Sequence, residues 1–268
     1  MAETVDRPES DVLGSTGKRG WLSYVGVAGF LLLWVTLSCT GWISALVLPS
    51  PLRVLGSVGD VGFPLLQHIA ATCIRVCGAY CLGVGLGVSI GVLMQFNRVA
   101  FQFLDGLIET FRPIPPVALI PFFILVFGFA EVGKILITVL GVAVLITVTT
   151  VEAIERVSPG LIRWGLVLGL PRRQLFRLVI LPAAWPEMRG GFRIALALAI
   201  TLVVVSEFMG ARFGLGYLLS VSKVTLTTPT ILMTVMILGW LGWTLDRLQR
   251  ALFDITTAWD VRAKGARR

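Results

Sequence analysis

GLPRRQLFRLVILP, residues 169–182, is a basic, punctuated passage in a chain that otherwise reads as membrane. Gly169 suits the left-handed end of one helix, Pro171 suits the first turn of the next, and Pro182 disfavours helix at the residue before it. The spacing predicts a short, isolated, arginine-bearing amphipathic helix over 172–180. It stands at the centre of a polar interruption, residues 152–193, flanked on both sides by long apolar segments. A soluble partner would meet the protein here.

Outward from this loop, 56% of the 268 residues are hydrophobic and 14% charged, with a mean hydropathy of +0.88. Such a chain is too apolar for an ordinary soluble domain and is read as a polytopic membrane protein. Crossing ~30 Å of hydrocarbon takes about 20 apolar residues in a helix. Six segments qualify: 21–39, 69–94, 114–129, 132–151, 192–209 and 231–248. The third is broken by Pro113, Pro115, Pro116 and Pro121, which survive in a membrane only where protein or a watery path satisfies the freed backbone. Counting Lys and Arg, eighteen fall on the side of the 152–193 loop and four on the other, with Arg75 inside a span. The bias predicts six helices with both termini and the basic loop in the cytoplasm. Residues 1–20 are expected to form a disordered cytoplasmic tail, 21–250 the transmembrane domain and 251–268 a basic cytoplasmic tail. Lys18 and Arg19 precede an apolar run in the manner of a signal peptide, but no small-x-small site follows, so an uncleaved anchor is expected.

Several other chemistries are set aside. The net charge of +8 comes from basic residues between apolar segments, which topology explains better than nucleic-acid binding. Cys73, Cys77 and Cys81 fall at i, i+4, i+8 in an apolar helix and are read as small buried thiols. His68 is the only histidine, so no metal site is expected. GFAEVGK, residues 128–134, has the spacing of a phosphate loop, but Ile135 stands where Ser or Thr should hold magnesium and no soluble strand precedes it. It reads as an external turn. Ala79, Gly83, Gly87 and Gly91 share one face of the second segment and predict close helix packing.

Taken with its flanks, 169–182 resembles the coupling loop in permease subunits of bacterial binding-protein-dependent ABC importers. There a Glu-Ala-Ala triplet is followed by a Gly and an Ile-x-Leu-Pro ending. Gly169 matches the Gly, Val179 stands for the Ile, and Leu181 and Pro182 match the Leu-Pro, while Arg163, Trp164 and Gly165 replace the triplet. LPSP at 48–51, HIAATCIR at 68–75, FRPIPPVALIPF at 111–122, FGFAEVGK at 127–134 and VVSEFMGARFGLGYLL at 204–219 are similar to the sulfonate, taurine, nitrate and bicarbonate branch. The resemblance implies an all-α membrane fold of the type I importer permease architecture, with six transmembrane helices and a coupling helix between helices four and five. It implies a homodimer in the bacterial inner membrane, two cytoplasmic ATP-binding subunits that hold the ATP and magnesium, and an external substrate-binding protein. No cofactor is expected on this chain, and it is not expected to be an enzyme. Leu175, Phe176, Val179 and Ile180 would form an apolar face set into an ATPase cleft, fringed by Arg172, Arg173 and Arg177.

For the substrate path, Arg75 is a candidate because a charge inside a span costs at least ~2.5 kcal/mol and suits an oxyanion. The alternatives are that it reaches the outer interface or pairs with an acid such as Glu207. Glu207, the prolines Pro115, Pro116 and Pro121, and the Gly214 and Gly216 turn are candidate gate elements. Two rival readings stand beside the importer: an ion-coupled secondary transporter, which should place acids at mid-membrane, and a membrane scaffold. An ABC permease for another small solute is a further alternative.

Overall fold

A computed structural model describes residues 20–40 and 42–259; of the tails expected at 1–20 and 251–268, residues 1–19 and 260–268 lie outside the described residues. Every regular element among these residues is helical. Helix α1 (Gly20–Cys39) is followed by α2 (Pro51–Val61), α3 (Pro64–Phe96), α4 (Arg98–Phe111), a 3-10 turn (Pro116–Leu119), α5 (Ile120–Phe127) and α6 (Glu131–Glu155). Then come α7 (Pro159–Val167), α8 (Arg172–Leu175), a π segment (Phe176–Ile180), α9 (Leu181–Ala184), a 3-10 turn (Trp185–Met188), α10 (Arg189–Gly210), α11 (Leu215–Val224) and α12 (Thr228–Thr256). Four continuous helices are long and apolar enough to cross a membrane: α3, α6, the run Arg172–Gly210 and α12. The first expected span falls on α1, whose stretch Ala28–Cys39 is a shorter apolar helix.

The expected third span is corrected. It is a pair of helices, α4 and the segment Pro116–Phe127, bent by 84°. The bend falls on the proline cluster, because Pro115 is held extended and Pro116 and Pro121 each take the first turn of a new helical piece. Pro116–Phe127 alone would rise only about 18 Å, too little for a bilayer core.

The expectation of an isolated helix over 172–180 is also corrected. The helix starting at Arg172 continues for 39 residues to Gly210. Pro182 would clash with a carbonyl four residues back in an ordinary α-helix. The segment before it is π-wound, with the Leu181 N–H donating to the Phe176 carbonyl five residues back. A 3-10 turn likewise accommodates Pro186. Each proline thus changes the winding locally without ending the helix.

Helices α3 and α6 share the most extensive contact in the bundle, and the small-residue face explains it. A Cβ on Gly83 would lie 2.7 Å from Val142 Cβ, one on Gly87 2.7 Å from the Ala143 carbonyl oxygen, and one on Gly91 2.7 Å from Thr150 Cβ. Ala79 is fully buried on the same face, and the Thr147 hydroxyl donates to the Gly87 carbonyl at 3.2 Å. Cysteines 73, 77 and 81, expected to be buried, are not. Cys77 and Cys81 are exposed and Cys73 half-buried. Their row is offset from Ala79 by two residues, about 200° around the helix, so they face away from α6. At the other end of the bundle, Trp185, Phe192 and Phe253 meet with ring centroids 5.0–5.6 Å apart. Arg189 pairs with Asp254 at 2.6 Å and Arg193 with Asp246 at 2.8 Å. These contacts hold α12 as helix to Thr256, past the boundary expected at 250.

Candidate functional site

Two features stand at opposite ends of α6. At its first turn lies a charge cluster; beyond its last residue, Glu155, lies the basic loop that turns at Gly169.

The cluster is centred on Arg75 of α3. Its Nε and Nη2 donate to the two carboxylate oxygens of Glu131 at 2.6 and 2.8 Å, and its Nη1 donates to Glu207 and to the Phe213 carbonyl, each at 2.7 Å. Four of the five guanidinium N–H groups are therefore used. Glu207, near the end of α10, is wholly buried. Besides Arg75 it accepts from the Thr72 hydroxyl at 2.8 Å and the Gly216 N–H at 3.0 Å. Lys134, one turn after Glu131 on α6, donates to that carboxylate at 2.9 Å. Two cations and two carboxylates thus balance.

The backbone between α10 and α11 is tied to the same point. The Gly214 N–H donates to His68 Nδ1 at 3.0 Å and the Leu215 N–H to the Thr72 oxygen at 2.8 Å. Gly214 has φ +134°, and a Cβ there would collide with the Glu207 carboxylate; one on Gly216 would collide with the Val204 carbonyl. Glycine is required at both positions by that close approach. The candidate gate glycines and both candidate charges therefore form one network across α3, α6, α10 and α11. Of the three readings of Arg75, the geometry is that of the ion pair: it is bound by Glu207 and Glu131.

The candidate prolines lie elsewhere. Pro116 packs beside Gly141 of α6, where an added Cβ would sit 3.4 Å from Pro116 Cβ. Ile120, behind Pro121's turn, is buried. None of the three prolines enters the Arg75 network. Glu131 and Lys134 do, and sequence reasoning passed over both because they lay within the rejected GFAEVGK passage. Their i, i+3 spacing at a helix start, with an acid in the first turn, was the available signal.

At the other end, α7, Gly169 and α8 form a helical hairpin. Gly169 has φ +74° and closes α7, with the Leu170 N–H donating to the Gly165 carbonyl at 3.2 Å, as a glycine-ended helix does. Gly165 lets α8 approach: a Cβ there would collide with Leu175 and lie 3.6 Å from Val179. Leu175 and Phe176 are buried, Phe176 against Phe96 with centroids 4.4 Å apart and in the core cluster containing Val157. This corrects the apolar face expected on 172–180, because Leu175 and Phe176 are spent on the chain's own core. The outward apolar surface is on α7 and its end: Leu161, Trp164, Leu166, Val167 and Leu168, with Trp164 70% and Val167 80% exposed. Arg172, Arg173 and Arg177 line a groove against the end of α3. Among the described residues, no group of three metal-binding side chains occurs.

A helical bundle with several helices long and apolar enough to cross a membrane, and a hairpin turned at Gly169, is the architecture of a polytopic membrane protein. The chain belongs to the family described as binding-protein-dependent transport system inner membrane component, whose model matches residues 83–254. It is 31% identical over 245 residues to the taurine transport system permease protein TauC of Escherichia coli (strain K12), covering 89% of each chain. It is also 31% identical to the putative aliphatic sulfonates transport permease protein SsuC of Bacillus subtilis (strain 168), over 88% of this chain and 86% of that one. Among solved structures, a chain of the MetNI methionine ABC transporter, in inward-facing conformation, matches with TM-score 0.58 at 22% identity, over 72% of this chain and 97% of that chain. That likeness shows the fold alone.

Proposed function

We propose that this chain is the membrane subunit of an ATP-driven importer that carries a small sulfonate or related oxyanion, of the alkanesulfonate, taurine, nitrate or bicarbonate type, into the cytoplasm by alternating access. It works as a homodimer in the bacterial inner membrane, with both termini and the α7–α8 hairpin in the cytoplasm. Two ATP-binding subunits dock on the hairpins and hold the ATP and magnesium, and an external binding protein delivers the substrate. The substrate class rests on the taurine and sulfonate relatives. The orientation rests on the excess of Lys and Arg on the hairpin's side.

The observation that carries the docking role is the exposed apolar surface of α7, braced from behind by Leu175. A helix whose Trp and Val side chains face outward on a rigid hairpin, close to arginines, has the composition of an interface centre. Because α8 runs on into α10, displacement of the hairpin by ATP-driven closure passes along one helix to Glu207 and the opposite end. That mechanical continuity is how hydrolysis on one side changes access on the other.

The test is capture of an ATP-binding importer subunit co-expressed with this chain. Trp164→Asp should weaken capture by roughly thirtyfold, the loss of one central aromatic contact, with the permease still monodisperse. Unchanged capture would remove the docking role from α7. Uptake of taurine into proteoliposomes that persists without ATP would sink the importer reading altogether.

A further inference from the structure

The end of α3 and the start of the long helix enclose a groove of about 720 Å³ lined by Val92, Phe96, Arg172, Arg173, Phe176, Arg177 and Leu181. Its chemistry is divided: three guanidiniums over four apolar side chains. None of the three arginines has an ion-pair partner among the described residues, a state shared with other arginines such as Arg53 and Arg98, but these three line one groove. Arg173 and Arg177 are four residues apart on one helical face, where like charges repel. Three cations without ion-pair partners gathered on one groove give it a positive potential that favours an anion.

We propose that this groove binds the headgroup phosphate of an anionic phospholipid, with the arginines on the phosphate and the first acyl carbons against Val92 and Phe96. Position favours a lipid. Phe96 is the last residue of α3, a helix long and apolar enough to cross a membrane, so the groove lies at the end of that helix, on the membrane-surface side of the bundle. Phe96 and the neighbouring Leu93 are 41% and 51% exposed, extending the apolar wall out of the groove toward the bilayer. Volume agrees too: pockets for ligands much larger than a free oxyanion run about 300–1,000 Å³. A small free anion would use the arginines but leave the apolar wall unfilled. Basic recesses between helices at a membrane surface hold anionic lipid heads by this combination. The inference is independent of what the transporter carries.

Such a lipid would brace Arg172, Arg173 and Arg177 on the segment joining the hairpin to α10. Anionic lipid would then set how stiffly that joint transmits motion.

The experiment uses the full-length chain purified in mild detergent, stripped of lipid, and titrated with phosphatidylglycerol or phosphatidylcholine while bound lipid is counted by native mass spectrometry. Wild type should bind phosphatidylglycerol well above phosphatidylcholine. The triple variant Arg172→Gln, Arg173→Gln, Arg177→Gln should bind phosphatidylglycerol roughly a hundredfold more weakly. Should the triple variant fail to fold, Arg173→Gln alone should show about a fivefold loss. Equal phosphatidylglycerol binding by wild type and variant overturns the site. Displacement of the lipid by equimolar inorganic phosphate or methanesulfonate assigns the groove to a free anion and refutes the lipid. Lipid binding that survives in the triple variant while capture of the ATP-binding subunit is lost assigns the arginines to an acidic protein surface.

Discussion

Arg75→Gln separates the structural role of the buried charge cluster from a role in meeting substrate. The substitution keeps length and some hydrogen bonding but removes the cation between Glu207 and Glu131. Glu131 is half-exposed and keeps Lys134, so its loss is small. Glu207 is wholly buried and would keep only the Thr72 hydroxyl and the Gly216 N–H. Breaking a buried pair from one side costs about 3–5 kcal/mol. The amide of Gln and those two remaining donors argue for the lower end, about 3 kcal/mol. For a chain of this size, each kcal/mol moves the unfolding midpoint by about 2–4 °C, so a fall of roughly 6–12 °C is expected. The assay is thermal unfolding of the purified transporter in one detergent, beside taurine uptake in proteoliposomes. A second substitution, Glu207→Gln, should restore part of the loss in the double variant, because the uncompensated buried charge is then gone. Were the single variant to keep its wild-type midpoint while uptake vanished, the ion-pair assignment would be refuted and Arg75 would be meeting substrate.

Other substitutions probe the remaining elements. Gly87→Val puts a branched side chain against the Ala143 carbonyl and Ile146, and should separate α3 from α6 with a loss of at least about 1–3 kcal/mol, read as poor recovery of folded protein; normal yield and midpoint would contradict the close packing. Gly214→Ala meets both a backbone penalty at φ +134° and the Glu207 carboxylate, so it should lower the midpoint more than Gly128→Ala, where φ is +63° and the space is open. Gly169→Val, at φ +74° with open space around it, should cost about 1–3 kcal/mol locally and raise ATP hydrolysed per substrate moved. A wild-type ratio would show that the turn's geometry is not what couples the two. Leu175→Asp places a charge in the hairpin core and should abolish assembly, whereas the same change at exposed Leu178 should leave the fold intact; folding of both equally would contradict the burial of Leu175.

What the sequence made legible were features whose cause is local. The small-residue row from Ala79 to Gly91 declares close packing because only absent side chains permit it, and the proline cluster at 113–121 declares a break because the ring forbids an ordinary helix. The hairpin turn was legible for the same reason, through Gly169. What stayed hidden were properties set by distant partners. Pro182 carries a real local preference against helix, and the π winding that overrides it is paid for by tertiary packing of Phe176 and Ala184 in the core. The amphipathic pattern of 172–180 identified Leu175 and Phe176 as residues that must be buried, and nothing local says whether the partner is another subunit or the chain's own Phe96 and Gly165.

The same logic explains why Glu131 escaped notice while Glu207 did not. Glu207 lies inside an apolar segment, so its charge demands a partner wherever it points. Glu131 opens α6, where an acid is ordinary, and its pairing with Arg75 joins residues 56 apart in sequence. Once those residues are together, the arrangement has a mechanical meaning. Arg75 on α3, Glu131 on α6, Glu207 on α10 and Gly216 on α11 share a single hydrogen-bonded centre, while α10 reaches through one continuous helix to the hairpin at the other end. A displacement of that hairpin along the helix axis must therefore either carry Glu207 out of line with Arg75 or move α3 and α11 with it. Glu207→Gln, which weakens this link without adding bulk, should for that reason let ATP hydrolysis proceed with less uptake; a variant with wild-type uptake per ATP would show that motion reaches the far side by another route.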